Sequence, residues 1–263
     1  KRLGTRMLLR RITKHVTDQN WFAVGIDFII VVIGVFIGIQ VANWNNARSD
    51  AQREQQVLVE LLDDLRQDVL MLSASSDAAQ LSIDAANTVL DRAGLEPLAL
   101  VTLPVQNPMA NTEISVASPE DEDANLSSDH WAHITMRYFP SQHDAALNSL
   151  IAAGEFSIIT DRQIVRDLQR YRTFWATVMK SHDTTYRPHR DRTVFAGQKH
   201  GLSPFTETDL DALVEIVRLD PEMQGVVRTT AEFAALHGDS LKRVELEAQG
   251  LIDRIEAKSE GLE

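Results

Sequence analysis

The chain contains no cysteine, which excludes disulfides, thiol nucleophiles and thiolate metal sites. This composition is compatible with a bacterial periplasm, where stability would come from packing alone. Aromatic residues are also scarce, at 6% of 263 residues, whereas aliphatic and acidic residues that suit helices are common. The sequence shows no glycine-rich phosphate loop, no nucleophile elbow and no carboxylate pair in a recognisable catalytic setting. Nothing in it therefore indicates an enzyme class.

Charge of one sign dominates most of the chain, with 38 acidic against 26 basic residues and a net charge of −12. Residues 1–20 are the exception, because they carry six basic side chains and one acidic one. The remainder is therefore more acidic than the chain as a whole. An acidic surface repels phosphate backbones and anionic headgroups, so nucleic acid is excluded as a partner of this part.

The most informative stretch is the apolar run over residues 21–44, WFAVGIDFIIVVIGVFIGIQVANW. Asp27 and Gln40 are its only strongly polar residues before Asn43, and no polar stripe recurs every 3.6 residues. A helix of this length spans roughly 33 Å, which is enough to cross the core of a lipid bilayer. Trp21 and Trp44 bracket the run as interface anchors. The sequence therefore predicts a transmembrane helix.

The flanks of this run predict its orientation. Basic segments stay on the cytoplasmic side, so residues 1–20 are expected in the cytoplasm and residues 45–263 in the periplasm. A cleaved signal peptide would have an apolar region of about 7–15 residues and a small-residue cleavage site. The run is longer and ends in Gln-Val-Ala-Asn-Trp-Asn. We therefore predict an uncleaved signal anchor, single-pass, in the bacterial inner membrane.

Heptad patterns predict that the exported part is helical. Apolar residues recur at alternating steps of four and three within predicted helices over about 47–93, 161–187 and 221–257. Gly94 and Gly154 are expected to end helices, and Thr160 with Gln163 forms a capping-box pattern ahead of the second long helix. Pro188 is expected to end that helix, and residues 187–205 are expected to be irregular. Residues 95–128, with four prolines, are expected to be a loop-rich insertion. The predicted fold is all-α, with one N-terminal transmembrane helix followed by a periplasmic antiparallel bundle of long heptad-patterned helices. The seam positions are Leu58, Leu62, Leu65, Val69, Leu72, Ser76, Ala79, Ile83, Ala86 and Leu90; Ile164, Leu168, Tyr171, Trp175, Val178 and His182; and Met223, Val227, Thr230, Ala234, His237, Leu241, Val244, Ala248, Leu251 and Ile255.

Two features of the membrane run indicate contact with another helix. Gly34 and Gly38 are four residues apart, a spacing that lets two helix backbones approach closely. Asp27 is an ionisable residue about two turns inside the cytoplasmic end, where charge is costly. Asp27 either meets a partner helix or lies near the headgroups and pairs with basic residues ahead of the run, such as Arg10, Arg11 or Lys14.

Basic residues of the acidic part gather in a single cluster, formed by Arg187, His189, Arg190 and Arg192. Such a cluster can bind an anionic ligand or an acidic partner. The alternative is that it pairs with acids of the same chain, for example those of residues 120–123.

Histidines form the other candidate positions. His130 and His133 have the spacing of two ligands on one helix face and could hold zinc with Asp129 or His143. No catalytic metal motif surrounds them, so we predict no metal and no cofactor. His182 and His237 both lie on heptad seams. They are either a buried pH switch or ligand site between helices, or core histidines hydrogen-bonded to neighbours.

A hallmark in the membrane run resembles a family of uncharacterised single-pass bacterial membrane proteins. It consists of an acidic residue, branched aliphatics, Ile-Gly, a small residue, Ile-Gln and a polar Asn-Trp-Asn end. The matching residues are Asp27, Ile33, Gly34, Gly38, Ile39, Gln40, Asn43, Trp44 and Asn45. Residues 146–172 resemble the family's helix, glycine stop and new helix. The resemblance implies a signal anchor and a helical exported domain, and it implies no activity.

Together these features predict a non-enzymatic, membrane-anchored structural or interaction protein. It would be an accessory subunit of a larger inner-membrane assembly or a self-assembling scaffold, with other membrane subunits or its own copies as partners. The alternative is a periplasmic ligand-sensing bundle that acts through a partner, since residues 1–20 are too short for an output domain. A hydrolytic metalloenzyme that uses His130 and His133 ranks last.

Overall fold

The structure, a computed structural model, describes residues 21–102, 113–116, 129–136 and 139–260. The chain divides into two compact units, residues 1–54 and 55–263. The elements, in chain order, are α1 (Trp21–Arg92), β1 (Leu100–Thr102), β2 (Glu113–Ser115), α2 (His130–Thr135), α3 (Ala145–Ala153), a 3-10 turn (Phe156–Ile158), α4 (Arg162–Ser181), a π segment (His182–Tyr186), α5 (Arg187–Gln198), α6 (Leu210–Leu219) and α7 (Pro221–Glu260). The predicted all-α class is confirmed, whereas the antiparallel bundle and its periplasmic location stay predictions.

The first unit contains the apolar start of α1. An 18-residue window of this helix has a mean hydropathy of 2.5, and 0% of it is buried. Such a stretch is long and apolar enough to cross a membrane, as the sequence predicts. Residues 1–20, including Arg10, Arg11 and Lys14, lie outside the described residues, so the predicted basic flank is not seen.

In the second unit the predicted heptad seams form the buried faces. All ten seam residues of α7 and all six of α4 and its extension are buried, as are nine of the ten on α1, where Val69 is half-buried. The heptad spacing therefore predicted correctly which face of each long helix meets the core.

Buried apolar residues form two clusters. The first joins α1 from Ile83 to Leu90 with α2, α5, α6 and the first half of α7. The second joins α1 from Leu58 to Leu72 with α3, α4 and the second half of α7. Since α1 and α7 contribute to both clusters, these two helices connect the core from one end to the other.

Glycines end two helices where the sequence predicts. Gly94 and Gly154 have φ angles of 77° and 67°, a left-handed conformation that glycine adopts without a steric penalty. After Gly94, the N–H of Leu95 donates to the carbonyl of Leu90 at 2.9 Å, and the residue after Gly154 makes the same kind of bond. These bonds satisfy carbonyls that the last helical turn leaves open.

Pro188 does not end a helix, and that prediction is wrong. The chain passes from α4 through the π segment into α5, and Pro188 lies in the first turn of α5. There the N–H of Arg187 donates to the carbonyl of His182, five residues back. A proline inside a continuous helix removes one hydrogen bond and crowds the carbonyl four residues back, and the wider winding of the π segment directly ahead of Pro188 accompanies that change. The stretch that the sequence indicated as irregular is therefore helical through Gln198.

Two short strands lie in the segment predicted to be loop-rich. β1 and β2 pair antiparallel, with Leu100 opposite Ser115 and Thr102 opposite Glu113. Asn87 of α1 holds the chain just ahead of β1, since its side chain accepts from the N–H of Leu98 at 2.7 Å and donates to the carbonyl of Leu98 at 3.0 Å. The acids of residues 120–123 lie outside the described residues.

Candidate functional site

The candidate contact residues of the apolar run are open to the surroundings. A Cβ atom added at Gly34 or Gly38 would meet nothing within 4 Å. Asp27 is exposed, and Trp44 is 65% exposed. The side chain of Trp21 is not among those described. Nothing in the described part of this chain covers the glycine face, which leaves it available to a second helix.

The residues of the predicted basic cluster make different contacts within the described part of the chain, and their role as a ligand or partner site stays a prediction. Arg187 lies within 4.0 Å of carboxylates of Asp183 and Asp191, its own helical neighbours. Arg190 donates to the carbonyl of Thr135 and pairs with Asp191 at 2.9 Å. His189 stacks on Phe233 instead, with ring centroids 4.1 Å apart. Arg192 is exposed. Arg187 and Arg190 therefore pair with acids of the same chain, in agreement with the alternative given for this cluster.

The histidines of α2 take part in packing at the start of that short helix. Asp129 caps α2, because its carboxylate accepts from the N–H of Ala132 at 3.1 Å. His130 is buried and His133 half-buried. Among the described residues no group of three or more His, Asp or Glu is arranged to hold a metal ion. His143 contacts Asp68 at 3.4 Å.

His182 and His237 come together at the π segment. Both are buried, and their ring centroids are 4.6 Å apart. Tyr186, one turn after His182, completes a triangle, with centroids 5.2 Å from His182 and 5.6 Å from His237. Phe139 adds a fourth ring, 5.3 Å from His182. The heptad seams predicted both histidines as inward-facing, and α4 and α7 bring them to one place.

A cavity of about 130 Å³ opens beside these rings. We call it the ring cavity. Its lining residues are Thr177, Val178, Ser181, His182, Thr185, Tyr186, Phe233, Leu236, His237 and Ser240. They come from the end of α4, the π segment and the middle of α7. π segments occur often at functional sites, because they re-aim side chains that a regular helix would place elsewhere. The ring cavity is therefore the best candidate ligand site among the described residues.

A second cavity, of about 170 Å³, has a different character. Its wall includes Glu113 of β2, Gln80 of α1, and Asp239 and Lys242 of α7, so charges of both signs line it. Ser76 lies there too, buried, and its hydroxyl has no hydrogen-bond partner among the described residues. This cavity is polar, whereas the ring cavity is aromatic.

The most buried carboxylate lies elsewhere and joins helices. Asp68 of α1 is 1% exposed, and burial raises its pKa even though its hydrogen bonds act in the opposite direction. It accepts from the hydroxyl of Tyr171 on α4. Burial and the nearby Asp68 raise the pKa of Tyr171 as well. Tyr171 and Asp68 hydrogen-bond to each other inside the core, so we assign them a structural role.

Sequence reasoning missed the π segment and with it Tyr186 and Phe139. One signal was available, since apolar residues resume after Pro188 with Val194 and Ala196, both buried. A proline inside a continuing helical pattern indicates a kink or a π segment.

Comparison of the chain with protein-family models, with curated proteins and with solved structures finds no match.

Proposed function

We propose that this protein is a non-enzymatic, membrane-anchored interaction protein. Residues 1–20 would lie in the cytoplasm, residues 21–44 in the inner membrane and residues 45–263 in the periplasm. Its role would be that of an accessory subunit of a larger membrane assembly or of a scaffold built from its own copies. The resemblance to the single-pass membrane family agrees with this topology.

The observation that carries the proposal is the uncovered apolar surface of α1. Fifteen large apolar side chains between Phe22 and Trp44 are exposed, including Phe28 at 68% and Phe36 at 60%. Burying each such side chain is worth about 1.5 kcal/mol or more. Leaving all of them in water would therefore cost on the order of 20 kcal/mol, more than the whole stability of a typical domain. A lipid bilayer removes that cost.

Contact beyond anchoring is supported by residues that an inert anchor does not need. Gly34 and Gly38 leave an open groove on one side of the helix. Without a hydrophobic drive between helices in lipid, close backbone approach at small residues is what holds them together. Asp27 favours a polar or basic neighbour, since an isolated charge in the membrane is costly.

The test compares two changes on opposite faces of the same helix. Gly34→Leu with Gly38→Leu fills the groove, whereas Gly25→Leu, about 180° around the helix from Gly34, is the matched control. All three glycines have open space, so insertion into the membrane should be preserved. Native membranes are extracted in mild detergent, and co-purifying subunits are quantified. We expect the double variant to lose its partner or second copy and the control to keep it.

If the double variant assembles like the unchanged protein, the apolar helix is only a tether. Any partner contact would then lie in residues 45–263. Loss of assembly in the Gly25→Leu control as well would point to a general effect of bulk and would contradict a specific glycine face.

Ligand sensing is the second candidate, and the ring cavity is the observation that favours it. Such a protein would act through a partner that carries the output. Native mass spectrometry of the extracted protein separates the two roles. A stoichiometric subunit supports the assembly role, whereas a monomer with a small molecule bound supports sensing.

A further inference from the structure

We propose that the ring cavity binds a small, uncharged aromatic alcohol of the phenol class. The cavity belongs to residues 55–263 and does not involve the glycine face of α1. The proposal is therefore independent of the membrane contact, and it gives the sensing alternative a ligand class.

The size of the cavity sets the size of the ligand. An engineered apolar cavity of about 150 Å³ in another protein accommodates benzene. The ring cavity, at about 130 Å³, is slightly smaller. Its enclosed part therefore suits a single six-membered ring, and a small substituent can lie toward the open side.

The walls favour a flat ligand. Tyr186 and His237 are nearly parallel, with 21° between their planes. His182 is tilted by 35° to Tyr186, and Phe233 of α7 adds another ring to the lining. Aromatic rings attract one another in offset-stacked or tilted arrangements at centroid distances of 4.5–7 Å. These rings already touch one another, so a planar ring can stack on the side of the cluster that faces the cavity at such distances, whereas a puckered ring cannot lie flat against it.

The charges around the cavity favour a neutral ligand. None of the described lining residues is Asp, Glu, Lys or Arg. The carboxylate of Asp183 lies just outside, 3.6 Å from Nδ1 of His182. A ligand carboxylate would lose its hydration without gaining an arginine or lysine, and it would meet this negative charge.

Hydroxyl groups on the wall give the ligand's O–H a place to bond. The lining includes Ser181, Thr185 and Ser240. The Ser240 hydroxyl donates to the carbonyl of Leu236 at 2.9 Å, so its oxygen keeps lone pairs that accept. A phenolic O–H can donate to that oxygen while its ring lies among the aromatic walls.

The test measures binding of three probes to the full chain in detergent micelles by isothermal titration calorimetry. Phenol has the ring and the hydroxyl, cyclohexanol keeps the hydroxyl and the size but is not flat, and benzoate is flat but charged. We expect phenol to bind at least about tenfold more tightly than either. Equal binding of phenol and cyclohexanol would overturn the ring argument, and equal binding of benzoate would overturn the charge argument.

Substitutions of lining residues test whether phenol binds in the ring cavity. Ser240→Leu fills it, and Thr185→Leu fills it from the π segment. Ser259→Leu is the matched control, because Ser259 lies on the same helix and makes the same kind of bond to a carbonyl four residues back, outside the cavity. We expect each filling variant to weaken phenol binding at least about tenfold and the control to leave it unchanged.

Circular dichroism before titration identifies any variant that fails to fold, and the remaining filling variant then decides. If both filling variants are misfolded, the ranking of the three probes on the unchanged protein decides. Phenol binding that survives in a folded filling variant would place the site elsewhere and overturn the proposal.

Discussion

The hydroxyl of Tyr171 on α4 donates a hydrogen bond to Oδ2 of Asp68 on α1, with an oxygen–oxygen distance of 2.7 Å. The other oxygen of Asp68 accepts from the backbone N–H of His143, at 2.6 Å, just ahead of α3. One turn earlier on α1, Asp64 accepts from the N–H of Ala146 at 2.9 Å. Two segments far apart in sequence, the start of α3 and the middle of α4, are therefore held to α1 by two of its carboxylates, with Asp68 inside the core.

Removing the hydroxyl of Tyr171 should destabilise the protein. In Tyr171→Phe the ring still packs, but Asp68 loses a donor in a buried place, which costs about 1–3 kcal/mol. Thr173→Val is the control, because that exposed hydroxyl of the same helix bonds only to the carbonyl of Gln169. Urea unfolding of both variants measures the difference. Equal stability of the two variants would show that the Asp68 bond contributes nothing.

The free energy of unfolding should depend on pH in the direction expected for a buried acid whose pKa is raised. Burial raises the pKa of Asp68 above its ordinary value of 3.8, so the folded state holds this proton more tightly than the unfolded chain. The contribution is present below pH 3.8 and is lost as pH rises through the folded-state pKa. Relative to Asp68→Asn, which does not titrate there, the unchanged protein should lose stability over this range. If the unchanged protein instead gained stability relative to Asp68→Asn as the pH rises, the assignment would be contradicted.

Two glycine substitutions distinguish the effect of side-chain packing on stability from the effect of helix propensity. A Cβ at Gly197 of α5 would overlap the indole ring of Trp131, which is fully buried. Gly197→Ala should therefore cost about 1–3 kcal/mol through overpacking. Gly250→Ala, on α7 with open space, should instead stabilise by up to about 1 kcal/mol. Thermal unfolding of the two variants should shift in opposite directions, and a shift in the same direction would contradict the close approach.

The heptad seam of α1 can be tested by introducing an Asp at a buried position and, separately, at an exposed position. Leu65 is 3% exposed, whereas Leu70 on the same helix is 59% exposed. Leu65→Asp buries an unpaired charge and should cost about 3 kcal/mol or more. Leu70→Asp should change the free energy of unfolding by less than about 0.5 kcal/mol. A melting temperature unaffected by Leu65→Asp would show that this face of α1 does not form the core.

The topology is tested by proteolysis of spheroplasts. Epitopes placed after residue 50 should be digested by added protease, and an epitope at the N-terminus should be protected. The reason is the basic segment over residues 1–20 ahead of a helix that can cross the membrane. The reverse pattern of protection would contradict the proposed orientation and, with it, the periplasmic location.

The sequence predicted the long helices well because heptad spacing and stop signals are local. Met223 to Ile255 on α7 and Gly94 after α1 follow directly from period and backbone preference. The start of α4 was predicted at Thr160 and Gln163, but Asp161 is the cap, and it accepts from the N–H of Gln163 at 2.7 Å. Helix ends of this kind shift by a residue when several capping side chains compete.

Features that depend on distant contacts were not predictable in the same way. β1 and β2 are three residues each, too short for an alternating pattern to stand out. The basic cluster over residues 187–192 is continuous in sequence, yet a helix turns neighbours by about 100°, so Arg187 and Arg190 meet Asp191 whereas His189 stacks on Phe233. The ring cavity needs α4 and α7 side by side, which no local pattern specifies.

The five-residue π segment sets the angular phase of everything that follows it. A π turn holds about one residue more than the α turn that it replaces. Winding the same five residues as a regular α-helix would restore regular bonding but would rotate the rest of the helix by about one residue, roughly 100°. Thr193, which now shares a 2.6 Å hydrogen bond with Thr230, would then face away from α7. The π segment therefore absorbs one surplus residue and keeps the buried stripe of α5 in register with its neighbour, so losing one residue there should be easier to accommodate than gaining one.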